Sequence, residues 1–229
     1  MFNPKDFTTP APKPLPVVLL LDVSSSMSGN KINNLNKAVK TMLDTFAEEE
    51  KMETEILVSV ITFGSEANLH IPYTKASQIQ WEDLHANGMT HMGAALRMAK
   101  AMIEDKNTTP SRAYRPTIVL VSDGQPNDHW EEPLEKFISA GRSSKCDRMA
   151  MAIGNDVDEE VLKRFIENAS QQLFYAENAN QIHEFFQRVT MSVTMRTKSK
   201  NPNEIPDPSK FNLDGDSIEL DDDDDENPF

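Results

Sequence analysis

The stretch LPVVLLLDVSSSMSG, Leu15 to Gly29, carries a dense apolar run straight into one carboxylate and four hydroxyls. The run is too short to span a bilayer, which takes about 20 apolar residues, so it reads as a buried strand. Short apolar runs of this kind recur along the chain and alternate with segments of helical period. That alternation is the pattern of an α/β protein on a mainly parallel sheet. Strands are predicted at 16–21, 55–63, 67–71, 117–122, 147–153 and 173–175.

Ile32, Leu35, Val39, Met42 and Phe46 recur at spacings of three and four, as do Met92, Ala95, Leu96, Ala99, Met102 and Ile103. Both series predict amphipathic helices lying on the sheet. Further helices are predicted over 129–140, 158–168 and 179–195, and the methionines on these faces read as core packing. Asp128 stands three residues before Glu131, the spacing of a reciprocal cap, which predicts that it starts the helix after SDGQPND.

With 229 residues and 38% hydrophobic content, the chain has enough material for one sizeable core. The expected division is an extended, proline-rich lead-in over 1–14, a single domain over 15–196, and a disordered acidic tail over 197–229 that ends in Pro-Phe. Net charge is −14, of which the residues from Asn201 onward carry −10. The remainder is close to neutral and shows no basic stripe, so direct nucleic-acid binding is not expected. Arg196, Lys198 and Lys200 read as a solvated helix end that complements the dipole.

The lone Cys146 excludes an internal disulfide and reads as a small buried strand residue in a reducing compartment. The first residues lack a basic segment followed by an apolar one, so a cytoplasmic protein with no membrane association is expected.

In an extended backbone alternate side chains point the same way, so Asp22, Ser24 and Ser26 can aim one carboxylate and two hydroxyls at a common point. Ligands of open α/β sheets bind beyond the carboxyl ends of the strands, which is where this segment stands. Two more oxygen-bearing candidates fall where other connections can return to the same rim. They are Thr90 in GMTHMGAAL, just before a helix, and Asp123 in IVLVSDGQPND, just after a strand. Two carboxylates and three hydroxyls form an all-oxygen set suited to a hard cation.

The segments DVSSSM, GMTHMGAAL and LVSDGQPND resemble the three parts of the metal-ion-dependent adhesion site of von Willebrand factor A domains. Many members have Gly where this chain has Ser25, a position that faces away from the metal. The resemblance implies a Rossmann-like fold with a mainly parallel sheet, one antiparallel edge strand and helices on both faces. It also implies Mg²⁺ or Mn²⁺ held by Asp22, Ser24, Ser26, Thr90 and Asp123, some through water. The layout and the wording DGQPNDHW are similar to bacterial stand-alone members associated with tellurium resistance and with stress or phage-defence loci. Kinase and phosphatase partners are implied by that likeness.

A metal balanced by two aspartates stays electrophilic, so a partner's Asp or Glu can complete its coordination. The expected function is a metal-dependent protein-interaction module without enzymatic activity. The alternative is a Mg²⁺-dependent phosphatase of the haloacid dehalogenase type, whose acid/base carboxylate stands two residues after its nucleophile. Here that position is Ser24. His91, beside Thr90, is a candidate partner contact.

The C-terminal SIELDDDDDENPF reads first as a disordered solubility tail. Its ending also resembles the C-terminal tip of bacterial single-stranded-DNA-binding proteins. By that resemblance Phe229 anchors in a partner's pocket, Pro228 pre-sets the backbone and the aspartates steer encounter, with proteins that read such tips as partners. Two other uses are a tail carboxylate filling a metal site and an Asn-Pro-Phe traffic motif. DGDSIEL lacks the glycine of a calcium loop.

Overall fold

The computed structural model describes residues 13–50, 55–154, 157–167, 169 and 172–206. Most of the lead-in and the tail beyond residue 206, with Pro228 and Phe229, lie outside the described residues.

Six strands form one sheet: β1 (Pro14–Asp22), β2 (Glu55–Phe63), β3 (Ala67–Lys75), β4 (Thr117–Ser122), β5 (Asp147–Ile153) and β6 (Phe174–Ala176). Their order is β3-β2-β1-β4-β5-β6. All pairs are parallel except β2 with β3, so the antiparallel strand is the edge one. Among the described residues five α-helices accompany them, the first four between strands and the last after β6: α1 (Asn30–Glu49), α2 (Met92–Glu104), α3 (Glu131–Ser139), α4 (Glu159–Phe165) and α5 (Ala179–Lys198).

Every residue of β1 is buried because helices cover both faces of the sheet. Leu15, Val17, Leu19 and Leu21 pack with α1 and α5, and Val18 and Leu20 pack with α2, α3 and α4. A strand buried on both sides must be apolar at consecutive positions, which is the run read in the sequence. Each such leucine contributes about 1.5–3 kcal/mol by leaving water.

β1 starts two residues earlier than predicted, taking in Pro14 and Leu15, and ends one later at Asp22. Pairing with β4 begins only at Val17, so Pro16 is bordered by β2 alone and the sheet accommodates it. β3 runs to Lys75 rather than stopping at 71. It is an edge strand with shifted register opposite Val58 to Ile61, and such a strand tolerates Pro72. Cys146 lies one residue before β5, buried, and burial pushes its thiol up to about 12.

Arg196 corrects the expectation of a solvated helix end. It is fully buried, with Nε donating to Pro202 O (2.8 Å), Nη1 to Thr117 Oγ1 (2.7 Å) and Nη2 to the Arg115 carbonyl. Asn203 Oδ1 accepts from Arg115 N at 2.8 Å, so contacts continue past residue 196. Burial holds the guanidinium pKa down at about 10, with Asp147 opposing the drop. A basic residue in the last helical turn looks solvated in a linear pattern. Only the tertiary fold shows that it is buried at the amino end of β4.

Among the described residues, no helix is long and apolar enough to cross a membrane.

Arg196→Ala leaves three acceptors and the buried Asp147 without their cation. The expected loss is about 3–5 kcal/mol of stability. Lys198→Ala, at the exposed end of the same helix, should stay within about 0.5 kcal/mol. Urea denaturation of both variants checks the contrast.

Candidate metal centre

Strand order reverses between β1 and β4, which diverge to opposite sides from adjacent positions. Such a switch point leaves a crevice at the carboxyl ends of the strands. Asp22 ends β1 and Ser122 ends β4, and the two are bonded: Ser122 Oγ donates to Asp22 Oδ2 at 2.5 Å. Ser24 N donates to the other oxygen, Oδ1, at 2.8 Å.

Asp22 is fully buried. Burial pushes its carboxyl up to about 6, against the hydrogen bonds from Ser122 and Ser24 and with a further rise from the charge of Asp123. The ionised form therefore gains from a cation placed beside it.

Ser24 and Ser26 do come together, with their Oγ atoms 2.9 Å apart, but not on an extended backbone. The strand ends at Asp22, and 25–27 form a turn of 3₁₀ helix. That turn curls Ser26 back over Ser24, leaving Ser24 buried and Ser26 exposed. Ser25 is exposed and its N–H donates to Gly88 O at 3.0 Å, tying this loop to the segment that carries Thr90.

Thr90 is buried just ahead of α2. Its N–H donates to Asn127 Oδ1 (3.0 Å) and its carbonyl accepts from Asn127 N (3.1 Å). Asn127 follows Asp123 in the same loop, so the Thr90 and Asp123 segments are strapped together. From the other side, Asn36 of α1 bonds both the N–H and the carbonyl of Leu84, pinning the stretch that leads into Thr90.

Asp128 does not start α3. Its carboxylate accepts from Gly93 N and Ala94 N, both at 3.0 Å, and so caps α2 from outside. The residue before α3 is Trp130, which makes no side-chain cap. A linear spacing cannot distinguish a helix that follows an acid from one brought against it. Gly93 permits the approach, since a β-carbon there would collide with the carbonyl oxygen of His129.

Asp123 is nearly buried, and its Oδ1 has no hydrogen-bond partner. Gly124 turns the chain immediately afterwards at φ 72°, with its N–H on Ser122 Oγ at 2.9 Å. An orphaned carboxylate oxygen beside a buried carboxylate and paired hydroxyls is a donor set that fits a divalent cation. Among the described residues, no three His, Cys, Asp or Glu side chains gather as a metal-holding group, so a site here depends on its hydroxyls.

His91 is half-buried at the start of α2, with its N–H on Gly64 O at 2.9 Å. Met89, two residues earlier, is 52% exposed. A cavity of about 840 Å³ between α1 and residues 81–85 contains none of the five oxygen-bearing residues. Ser122, Asn127 and Lys31 were not singled out from sequence. Ser122 was the most accessible of them, as the hydroxyl that closes an apolar run next to an acid.

The family described as von Willebrand factor type A domain matches residues 17–188. Inter-alpha-trypsin inhibitor heavy chain H2 of Sus scrofa is 26% identical over 209 residues, which are 83% of this chain and 22% of that protein. The chain thus spans about a fifth of that relative's length. Among solved structures, a von Willebrand factor type A protein from Catenulispora acidiphila superposes with TM-score 0.63 at 21% identity, covering 80% of this chain and 43% of the other. Proximal thread matrix protein 1 from mussel byssus, solved with a zinc-occupied MIDAS motif, superposes at 0.58 with 14% identity, covering 79% and 48%.

If Asp128 caps α2, Asp128→Ala should cost about 1 kcal/mol, within the 0.5–2 range of cap losses. Glu131→Ala should change stability by less than about 0.5 kcal/mol. Equal losses in the two variants, measured by urea denaturation, would restore Asp128 to α3.

Proposed function

Since the chain belongs to the von Willebrand factor type A domain family, we propose that it is a metal-dependent protein-interaction module whose working site is the rim at Asp22 and Asp123. The observation that carries this reading is the buried, unpartnered Asp123 Oδ1 beside the Asp22, Ser24 and Ser26 cluster. Asp22, Ser24, Ser26, Thr90 and Asp123 would hold Mg²⁺ or Mn²⁺, which all-oxygen donors favour over zinc. The bound cation supplies an electrophilic position for a carboxylate from a protein partner. The chain's own part is to fix the oxygens through Ser122 and Asn127 and to present the rim between loops that hydrogen bonds hold still.

The reading is non-enzymatic. A phosphatase of the dehalogenase type needs an acid/base carboxylate where this chain has Ser24, and a serine hydroxyl does not supply one. The likeness to tellurium-resistance and defence proteins supports a cytoplasmic adaptor acting with kinase or phosphatase partners. His91 stands close enough to Thr90 to touch a partner seated there. Pro228 and Phe229 form a second contact in this proposal, docking on proteins that read single-stranded-DNA-binding tips.

We expect one Mn²⁺ per chain by calorimetry and none in Asp123→Ala, with the far-ultraviolet spectrum unchanged. Partner capture should be lost on adding EDTA and in Asp22→Ala. Mg²⁺-dependent phosphatase turnover that disappears in Ser24→Ala would overturn the non-enzymatic reading.

A further inference from the structure

Lys31 lies in the first turn of α1, where the aligned peptide dipoles disfavour a cation and no acidic residue offsets them. Its ammonium reaches the rim, 4.0 Å from Asp123 Oδ2. The lysine side chain is 35% exposed and the aspartate 9%. The end of the lysine passes Gly154, just after β5, where a β-carbon would stand 3.2 Å from Nζ and 3.4 Å from Cε. At 4.0 Å the pair is a charge contact rather than a hydrogen bond, and it leaves Asp123 Oδ1 unsatisfied. The lysine therefore adds charge to the rim without closing its open oxygen.

That placement alters the charge balance of the site. Two ionised aspartates cancel a divalent cation, and Lys31 then leaves the loaded rim at net +1 rather than neutral. One charge acts with opposite sign on the two species that meet there, repelling a cation and attracting an anion. Resting on the metal reading above, we propose that Lys31 sets the charge of the rim: it weakens cation binding and strengthens the binding of a carboxylate to the loaded site. An acidic group on a partner would then be drawn by the cation and by the ammonium together. Lys31 is in this sense a positioning and affinity-setting residue, outside the five proposed ligands.

The test uses the full chain as wild type, Lys31→Met and Lys31→Arg. Mn²⁺ affinity is read by calorimetry. Carboxylate binding to Mn²⁺-saturated protein is read from the ¹⁹F relaxation of fluoroacetate. Lys31→Met keeps most of the apolar stem and removes the charge. It should tighten Mn²⁺ and weaken fluoroacetate, each on the order of three-fold, the scale of a partly exposed charge pair. Lys31→Arg keeps the charge and should match wild type in both measurements. A purely structural role would not move the two affinities in opposite directions. If Lys31→Met changes both in the same direction, changes only one or changes neither, the proposal fails while the metal reading stands. A wild-type chain that binds no Mn²⁺ removes the metal reading and this proposal with it.

Discussion

The burial of β1 on both faces is the constraint from which the rest follows. A strand covered by α1 and α5 on one side and by α2, α3 and α4 on the other has no solvated face along its length. Polar chemistry can appear only where the strand ends. Asp22 is the first polar residue after that run, still fully buried, and the hydroxyl of Ser122 meets it from the end of the neighbouring strand. Burying a carboxylate is costly unless its oxygens are bonded and its charge is balanced. Ser24 and Ser122 supply the bonds, and the balance is left to whatever cation the rim receives. The fold thus gathers buried carboxylates at the rim and leaves one Asp123 oxygen without a hydrogen bond.

The architecture was legible because periodicity reports burial directly. Three strands, over 55–63, 117–122 and 147–153, fall where the apolar runs stand, and the departures elsewhere have local causes. The first strand reaches back over Pro14 and the third runs on through Pro72, and both prolines fit where a strand lacks a neighbour or its register slips. The oxygen-bearing residues were legible because each sits at a boundary between an apolar run and a helical segment. What the linear pattern could not reveal was partnership across the chain. Asp128 and Glu131 have the spacing of a cap, but the acid serves α2, more than thirty residues away. Arg196 has the position of a solvated cation, but its guanidinium is buried at the start of β4. Ser24 and Ser26 have the alternation of a strand, but a tight turn brings them together. For Asp128 and Arg196 a hydrogen bond fixed by tertiary structure outweighed a weaker local preference, and for the two serines a local turn replaced the extended backbone.

The rim is also unusually well tied for a set of loops. Ser25 binds Gly88, Asn127 binds Thr90 through both main-chain groups, and Asn36 binds Leu84 in the same two-fold manner. Loops that carry function on a rigid scaffold are common, but here the loops are bonded to one another as well. Little ordering entropy remains to be lost when a partner arrives, which favours affinity from a small contact area.

β4 links the two ends of the molecule. At its first residue, Thr117 receives the Arg196 guanidinium, and at its last, Ser122 holds the Asp22 carboxylate. At about 3.3 Å per residue, the five steps from Thr117 to Ser122 set these anchors roughly 16 Å apart on a single strand that cannot stretch. Pro202 and Asn203 are fastened at the Thr117 end, at the pole opposite the rim. The domain therefore holds the rim and its last described residues a fixed distance apart. Whatever meets the rim and whatever meets Pro202 and Asn203 stand at opposite ends of β4, and neither competes with the other for space.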